Sequence, residues 1–330
     1  MNNHLTIERA SQILNGFADK HILVIGDLML DEYIWGSVER ISPEAPVPVV
    51  EAHRRSYMPG GAANVALALA DLGVKVSVIG GVGADESGGH LKRLLANKKI
   101  DTDGIISVKD RKTTLKTRII GHHQQIVRID WEDTDAIDDV CMIEIAKYVR
   151  KCKHRIHGII FEDYGKGIIT QNLVTNIMNL IQDTPIATTF DPKRGHYLDL
   201  QGITVATPNH IEAFDAVSRK VSFKMEDIEL AGEALLKKWG VTAVLLTLGE
   251  HGMSLFEQNQ PTYKISTVAR EVYDVSGAGD TVIASLTAAL TADATLQEAA
   301  MVSNYAAGIV VGKVGTASVT RKEILSALPS

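Results

Sequence analysis

Two kinds of hydrophobic pattern alternate along the chain. Short, nearly continuous apolar runs occupy residues 21–26, 75–83, 158–161, 186–190, 203–206 and 243–247. Between them, apolar residues recur three and four positions apart over residues 5–18, 86–97, 137–150, 170–181 and 226–238, and again after Asp280. The second spacing is that of a helix with one buried face; the first suits a strand covered on both sides. Their alternation predicts an α/β fold, a mostly parallel central sheet with helices on both faces. In the first helix, Leu5, Ile13, Leu14 and Phe17 are the expected buried positions.

Two regions break the pattern. Residues 33–56 read as short strands, 33–36 and 47–51, around Arg40-Ile41-Ser42-Pro43-Glu44-Ala45-Pro46. The prolines favour edge strands and turns over a helix or a central strand. Residues 113–130 read as two more strands around Gly121. The two insertions, about 33–56 and 113–130, are expected to pair into a small sheet over the active rim of one domain spanning residues 1–330.

Bulk properties narrow the class. The chain has 330 residues, 45% hydrophobic and 22% charged, with net charge −6. That acidic balance argues against a general nucleic-acid binder. Cys141 and Cys152 are too few and too close for a disulfide framework, so reduced thiols are expected. No apolar run approaches the ~20 residues of a membrane span, and the start lacks an export signal, so a cytoplasmic protein is expected.

The candidate chemistry lies near the C-terminal third. Residues 271–280 form a short extended segment and a Gly277-Ala278-Gly279 turn, and a helix follows with Val282, Ile283, Leu286 and Leu290 on one face. Gly277 and Gly279 leave room for a close ligand, and the bare N–H groups of the helix tip attract phosphate. Asp280 then lies beside the phosphoryl group as a candidate proton acceptor. Taken alone, the same pattern is also an ordinary turn with an acidic first residue. Residues 81–83 lack the third glycine of a dinucleotide fingerprint, and no Gly-x-x-x-x-Gly-Lys-Ser/Thr is present. Polar clusters follow several strands, at 162–167, 191–194, 208–212 and 248–252, which suggests one active edge at the carboxyl ends of the strands.

Asp274-Val275-Ser276-Gly277-Ala278-Gly279-Asp280, together with Gly60-Gly61-Ala62-Ala63-Asn64, resembles the two signatures of the ribokinase (PfkB-type) carbohydrate kinases. Val275 stands where the family more often has Thr. The resemblance spans nearly the whole chain. It implies a ribokinase-like three-layer sandwich with a β-sheet lid, ATP with Mg²⁺, and often a monovalent cation, here beside Asp274. It implies that Asp280 is the general base, with the N–H groups of Ala278, Gly279 and Asp280 at the moving phosphoryl. Asp27, Asp31, Gly60, Gly61, Asn64 and Asp163 would border the sugar. Asn209 and Glu212 match an Asn-x-x-Glu element that helps place Mg²⁺ and the phosphates. Thr247, Gly249, Gly252 and Asn304 would line the nucleotide side. The lid would form a homodimer contact. Each of these residues also has a bland reading: Asp27 or Asp31 as a turn cap, Asn64 as a tolerated helix Asn, Glu212 as a surface carboxylate.

Residues 40–49, 59–66 and 124–130 look specifically like segments of D-glycero-D-manno-heptose 7-phosphate kinases. Those enzymes phosphorylate the anomeric 1-hydroxyl, giving the 1,7-bisphosphate used for the lipopolysaccharide inner core. Many relatives add a nucleotidyltransferase; no His-x-Gly-His occurs here, so a stand-alone kinase is expected. A phosphosugar requires a cationic end pocket, for which Arg40, Lys116, Arg118, Lys166, Lys193 and Arg194 are candidates, Lys193 and Arg40 foremost. A kinase for ribose, fructose 1-phosphate or a nucleoside, or a non-catalytic sugar or nucleotide sensor, remains an alternative on sequence alone.

Overall fold

A computed structural model describes residues 5–122, 124–269, 272–313 and 317–329; Glu271, at the start of the phosphate-site stretch, lies outside them. In chain order the elements are α1 (Ile7–Gly16), β1 (His21–Gly26), β2 (Leu28–Ile41), β3 (Pro48–Gly61), α2 (Ala62–Asp71), β4 (Lys75–Gly83), α3 (Glu86–Asn97), β5 (Asp101–Val108), β6 (Thr114–Gly121), β7 (Gln124–Trp131), α4 (Asp139–Cys152), β8 (Gly158–Glu162), α5 (Gln171–Ile181), β9 (Ala187–Asp191), β10 (Val205–Ala206), α6 (His210–Ala216), α7 (Met225–Trp239), β11 (Ala243–Thr247), β12 (Met253–Glu257), β13 (Tyr263–Ile265), α8 (Ala278–Thr291), α9 (Leu296–Val311) and α10 (Arg321–Ala327).

The large sheet has the order β13-β12-β11-β10-β9-β8-β1-β4-β5, parallel except at the β11-β12-β13 edge. Its apolar runs feed two cores. Ile22 and Val24 of β1 pack with α1, α2, α3, α8, α9 and α10; Leu23 and Ile25 pack with α4 to α7 on the other face. Alternating side chains thus explain why the run is continuous: both faces are covered. Helix starts follow local chemistry, with Thr6, Asp85, Asp138, Thr170, Thr295 and Thr320 each accepting an N–H of the first turn.

After β1 the chain builds outward through β4 and β5, then returns to the other side of β1 at β8 and continues to β11. Strand order therefore reverses between β1 and β8, and ligands of open α/β sheets lie at the carboxyl ends beside such a reversal.

The second sheet, β3-β2-β6-β7, stands on this rim. Its strands are longer than the sequence suggests: β2 and β3 each run 14 residues, not four or five. The prolines do not interrupt them. Pro43 and Pro46 fall in the connecting tip, Pro48 begins β3, and β3 is an edge strand, where the missing N–H of Pro59 is tolerated. Strands β5, β12 and β13 carry no long apolar run and escape the pattern; the strand expected at 203–206 is only two residues long. Cys141 and Cys152 are free and buried.

Candidate active site

The start of α8 is built by backbone geometry. Gly277 is its N-cap with φ +75°, a left-handed conformation that side chains resist. A Cβ there would also lie 3.0 Å from Asn64 Nδ2. Asp274 Oδ1 accepts the Ser276 N–H at 2.8 Å, tightening the turn that delivers the chain to Gly277. Buried Val282, Ile283 and Leu286 fix the helix in the core. The Ala278 N–H closes onto the Val275 carbonyl at 3.2 Å; those of Gly279 and Asp280 have no backbone acceptor within the helix and make its tip positive.

Asp280, in the first turn, is 6% exposed. The Tyr164 hydroxyl donates to its Oδ1 at 2.9 Å, and the Asn64 amide donates to its Oδ2. Burial holds its pKa above the usual carboxylate range; the two hydrogen bonds pull down, and the nearby charge of Asp31 pushes up. Tyr164 is itself pushed well up by burial and by the charge of Asp280, so it stays a donor at working pH. Asp280 is thus an oriented carboxylate with heightened basicity. Sequence reasoning missed Tyr164; its only signal was its place in the polar cluster after β8.

Asp27 has a different role from the expected sugar contact. It is 1% exposed, and its carboxylate accepts the backbone N–H groups of Tyr164, Lys166 and Ile168 at 2.8–3.0 Å. Three N–H bonds occupy it as the clamp that shapes the Tyr164 loop. Asp163 is likewise a loop anchor: it accepts from Gly165 N–H at 2.8 Å and bonds His196 Nδ1 at 2.5 Å, and burial raises its pKa. Asp31 is the carboxylate left beside Asp280. It pairs with Arg118 of β6, and Gly60 lies so close that a Cβ would sit 2.7 Å from Asp31 Oδ2. Gly61, with φ +55°, turns β3 into α2, the helix that carries Asn64.

Glu162 and Asp191 end adjacent parallel strands in register, beneath the tip of α8. Glu162 is fully buried, and no N–H or hydroxyl donates to it. Thr207 donates to Asp191 Oδ1 at 2.7 Å. Burial, then the mutual charge of Asp191 and Asp280, drives the Glu162 pKa well up, so Glu162 keeps a proton that only Asp191 can accept. A folded-state pKa above the unfolded value stabilises at low pH, and that stability is lost as pH rises past the unfolded value near ~4.3. Glu162→Gln is therefore expected to match wild type in Tm near pH 4–5 and to exceed it increasingly toward pH 8–9, read by thermal denaturation across pH. A Tm difference that shrinks with pH would contradict a protonated Glu162.

On the nucleotide side, Asn209 caps α6 and Glu212 completes a capping box: Asn209 Oδ1 accepts from Ile211 and Glu212 N–H, and Glu212 Oε2 accepts the Asn209 N–H. Burial raises the Glu212 pKa. Thr247 ends β11 and bridges to Asn209. Gly249 and Gly252 bound the following turn. The Asn304 amide is spent on the Ser266 carbonyl at 2.9 Å, so it holds the loop after β13.

Among the described residues no three acidic, imidazole or thiol side chains gather as a metal cage. That suits Mg²⁺, usually held by one or two carboxylates and the substrate phosphates. Glu212, with one oxygen outside the cap, and Asp191 are the carboxylates that would hold it.

Of the six cations proposed for an end pocket, most are already matched. Arg118 pairs with Asp31, Lys116 with Asp130 and Glu132, Lys166 with Glu132, and Arg194 with Asp215. Arg40 lies exposed near the far end of β2, nine residues beyond Asp31. Lys193 is exposed and forms no ion pair within 4 Å among the described residues, its charge is felt by Glu212, and its Nζ lies 5.7 Å from the ring centre of Tyr164.

The fold and sequence have known counterparts. Solved structures with the same fold include Arabidopsis thaliana ribokinase complexed with ribose and ATP (TM-score 0.73, 21% identity, 94% of this chain and 99% of that one). Another is Escherichia coli phosphofructokinase-2 in complex with potassium (TM-score 0.73, 18% identity, 94% and 98%). In sequence the chain is 44% identical over 306 residues to the bifunctional protein HldE of Geobacter sulfurreducens, and 43% identical over 304 residues to that of Aliarcobacter butzleri. These alignments cover 93% and 92% of this chain but 62% and 63% of the relatives, so the chain spans under two thirds of their length. The family model for pfkB family carbohydrate kinases matches residues 19–323. No helix among the described residues is long and apolar enough to cross a membrane. The chain belongs to the pfkB family of carbohydrate kinases, phosphotransferases with an alcohol acceptor.

Proposed function

We propose that this kinase transfers the terminal phosphoryl group of ATP to the anomeric 1-hydroxyl of D-glycero-D-manno-heptose 7-phosphate, giving the 1,7-bisphosphate. The observation that carries the transfer step is the placement of Asp280: a buried carboxylate in the first turn of α8, held by Tyr164 and Asn64 beside bare helix N–H groups. The acceptor hydroxyl gives its proton to Asp280 and its oxygen bonds the γ-phosphorus, while the bond from that phosphorus to the β,γ-bridging oxygen breaks and ADP leaves with its electron pair. The N–H groups of Gly279 and Asp280 stabilise the charge that gathers on the phosphoryl oxygens; that of Ala278 is spent on the Val275 carbonyl at 3.2 Å. Mg²⁺ arriving with ATP supplies further charge neutralisation there. Asp31, Asn64 and Gly60 border the sugar, and the lid over them excludes water that would otherwise compete as acceptor.

Support for the heptose comes from residues 40–49, 59–66 and 124–130 and from the HldE relatives. Support for a phosphate-bearing acceptor comes from Lys193, the unmatched cation against Tyr164. Lys193→Ala is expected to raise KM for the phosphosugar about tenfold or more, the worth of one charge-assisted contact, and to leave KM for ATP nearly unchanged. Equal effects on both would remove Lys193 from the acceptor pocket. The function itself is tested by ATP consumption with heptose 7-phosphate, ribose, fructose 1-phosphate and a nucleoside. The heptose 7-phosphate should have the highest kcat/KM; a higher value for another acceptor replaces it.

Two further points belong to this reading. The chain forms a homodimer through the lid, where Ile126, Val127, Ile129 and Trp131 of edge strand β7 are exposed at 39–55%; sedimentation measures it. A monovalent cation beside Asp274 would show as potassium-dependent turnover.

A further inference from the structure

The opposite rim of the sheet, at the amino ends of β1, β4 and β8, holds a cavity of about 210 Å³. Asp19, Lys20, His21, Lys75, Arg155 and His157 line it. The sheet register fixes this convergence: His21 and Lys75 are direct partners of neighbouring parallel strands, and His157 N–H bonds the His21 carbonyl at 2.8 Å. Lys20, Lys75 and Arg155 bring three positive charges against the one of Asp19. None of the three is within ion-pair distance of a carboxylate among the described residues, whereas most cations around the kinase site are matched.

We infer that this cavity is a second anion site, which takes a phosphate or a small phosphate monoester between Lys20, Lys75 and Arg155. Its size decides the class of ligand. At about 210 Å³ it falls below the ~300 Å³ at which pockets for larger ligands begin, so it holds one phosphoryl group and a few further atoms, not a nucleotide. The imidazoles complete it. His157 Nδ1 accepts the His21 backbone N–H at 3.1 Å, which leaves its Nε2–H as a donor. Ser77 gives its hydroxyl proton to Asp101 at 3.0 Å and so accepts from His21 Nε2–H at 2.8 Å. His21 Nδ1 is then the basic atom left on that ring. Burial first and then Lys75 hold the His21 pKa down to about 4; Asp101 pulls it up, and Arg155 and His157 each push down by less. A bound anion offsets those positive neighbours, so binding must raise that pKa. His21 is a built-in reporter, remote from Asp280, which lies past the carboxyl ends of the same strands.

The test uses the full chain with isotope-labelled histidine. Its ring signals, assigned with His21→Asn, are followed by NMR while inorganic phosphate replaces sodium chloride at constant ionic strength. Glycerol 3-phosphate forms a second arm, and the tighter of the two identifies free phosphate or monoester as the ligand. Wild type should show a saturable shift of the His21 signal and an upward move of its titration midpoint. Lys75→Ala with Arg155→Ala should weaken this response roughly tenfold for each cation removed. Both residues are exposed and outside the kinase machinery, so unchanged sugar phosphorylation verifies the fold of the variant. A His21 signal unmoved by either anion, or a double variant that responds like wild type, overturns the site.

Discussion

Asp280→Asn is expected to lower kcat by about 10²–10⁴, the usual worth of a positioned general base. The variant keeps shape and volume: the Tyr164 hydroxyl can still donate to the side-chain oxygen, and the new NH2 is accommodated where the Asn64 amide turns its oxygen toward it. Binding of ATP should therefore change little. Stability should hold or rise, because a buried negative charge leaves a neighbourhood that already contains Glu162 and Asp191. The pH profile gives a second reading. A base must be unprotonated to act, so wild-type kcat/KM should climb with pH through the Asp280 pKa, which burial lifts above the usual carboxylate value. Residual turnover of Asp280→Asn should lack that acid limb. Near-normal turnover, or an unchanged acid limb, would show that another group accepts the proton.

Asp27→Ala should produce the largest loss of stability, about 3–5 kcal/mol by urea denaturation. Its carboxylate satisfies three backbone N–H groups, and each buried donor left bare costs about 1–3 kcal/mol. The damage should spread to catalysis, since the same loop presents Tyr164 to Asp280. Asp27→Asn should fall between, because the amide retains one accepting oxygen and the shape. The alternative role separates cleanly: a residue that only held the sugar would raise KM and leave the urea midpoint in place. Against a typical total of 5–15 kcal/mol, the expected loss is large enough to read without ambiguity.

Much of the molecule was legible from local pattern. Continuous apolar runs such as residues 21–26 had to be strands covered on both sides, because no half-exposed strand can be apolar at every position. The turn at Gly277 and the helix after it followed from glycine's freedom and from periodicity, and with them the placement of Asp280 in a first turn. The polar clusters at 162–167 and 208–212 follow the carboxyl ends of β8 and β10, as their place after apolar runs predicts. Lid strands were found but cut short, because the prolines read as breaks; only the edge position of β3 makes Pro59 harmless.

What the sequence alone determined is therefore the fold class, the helix tip and the acid within it, since these depend on spacings of a few residues. Only tertiary structure could divide the acidic residues by role. Asp27, Asp31, Asp163, Glu162 and Asp191 look alike in a sequence, yet one clamps a loop, one pairs with Arg118, one holds His196, and two are buried side by side with raised pKa values. Their partners lie 33 to 141 positions away for Asp163, Asp31 and Asp27, and a carboxylate's behaviour is set by the donors and charges that folding brings within a few ångströms.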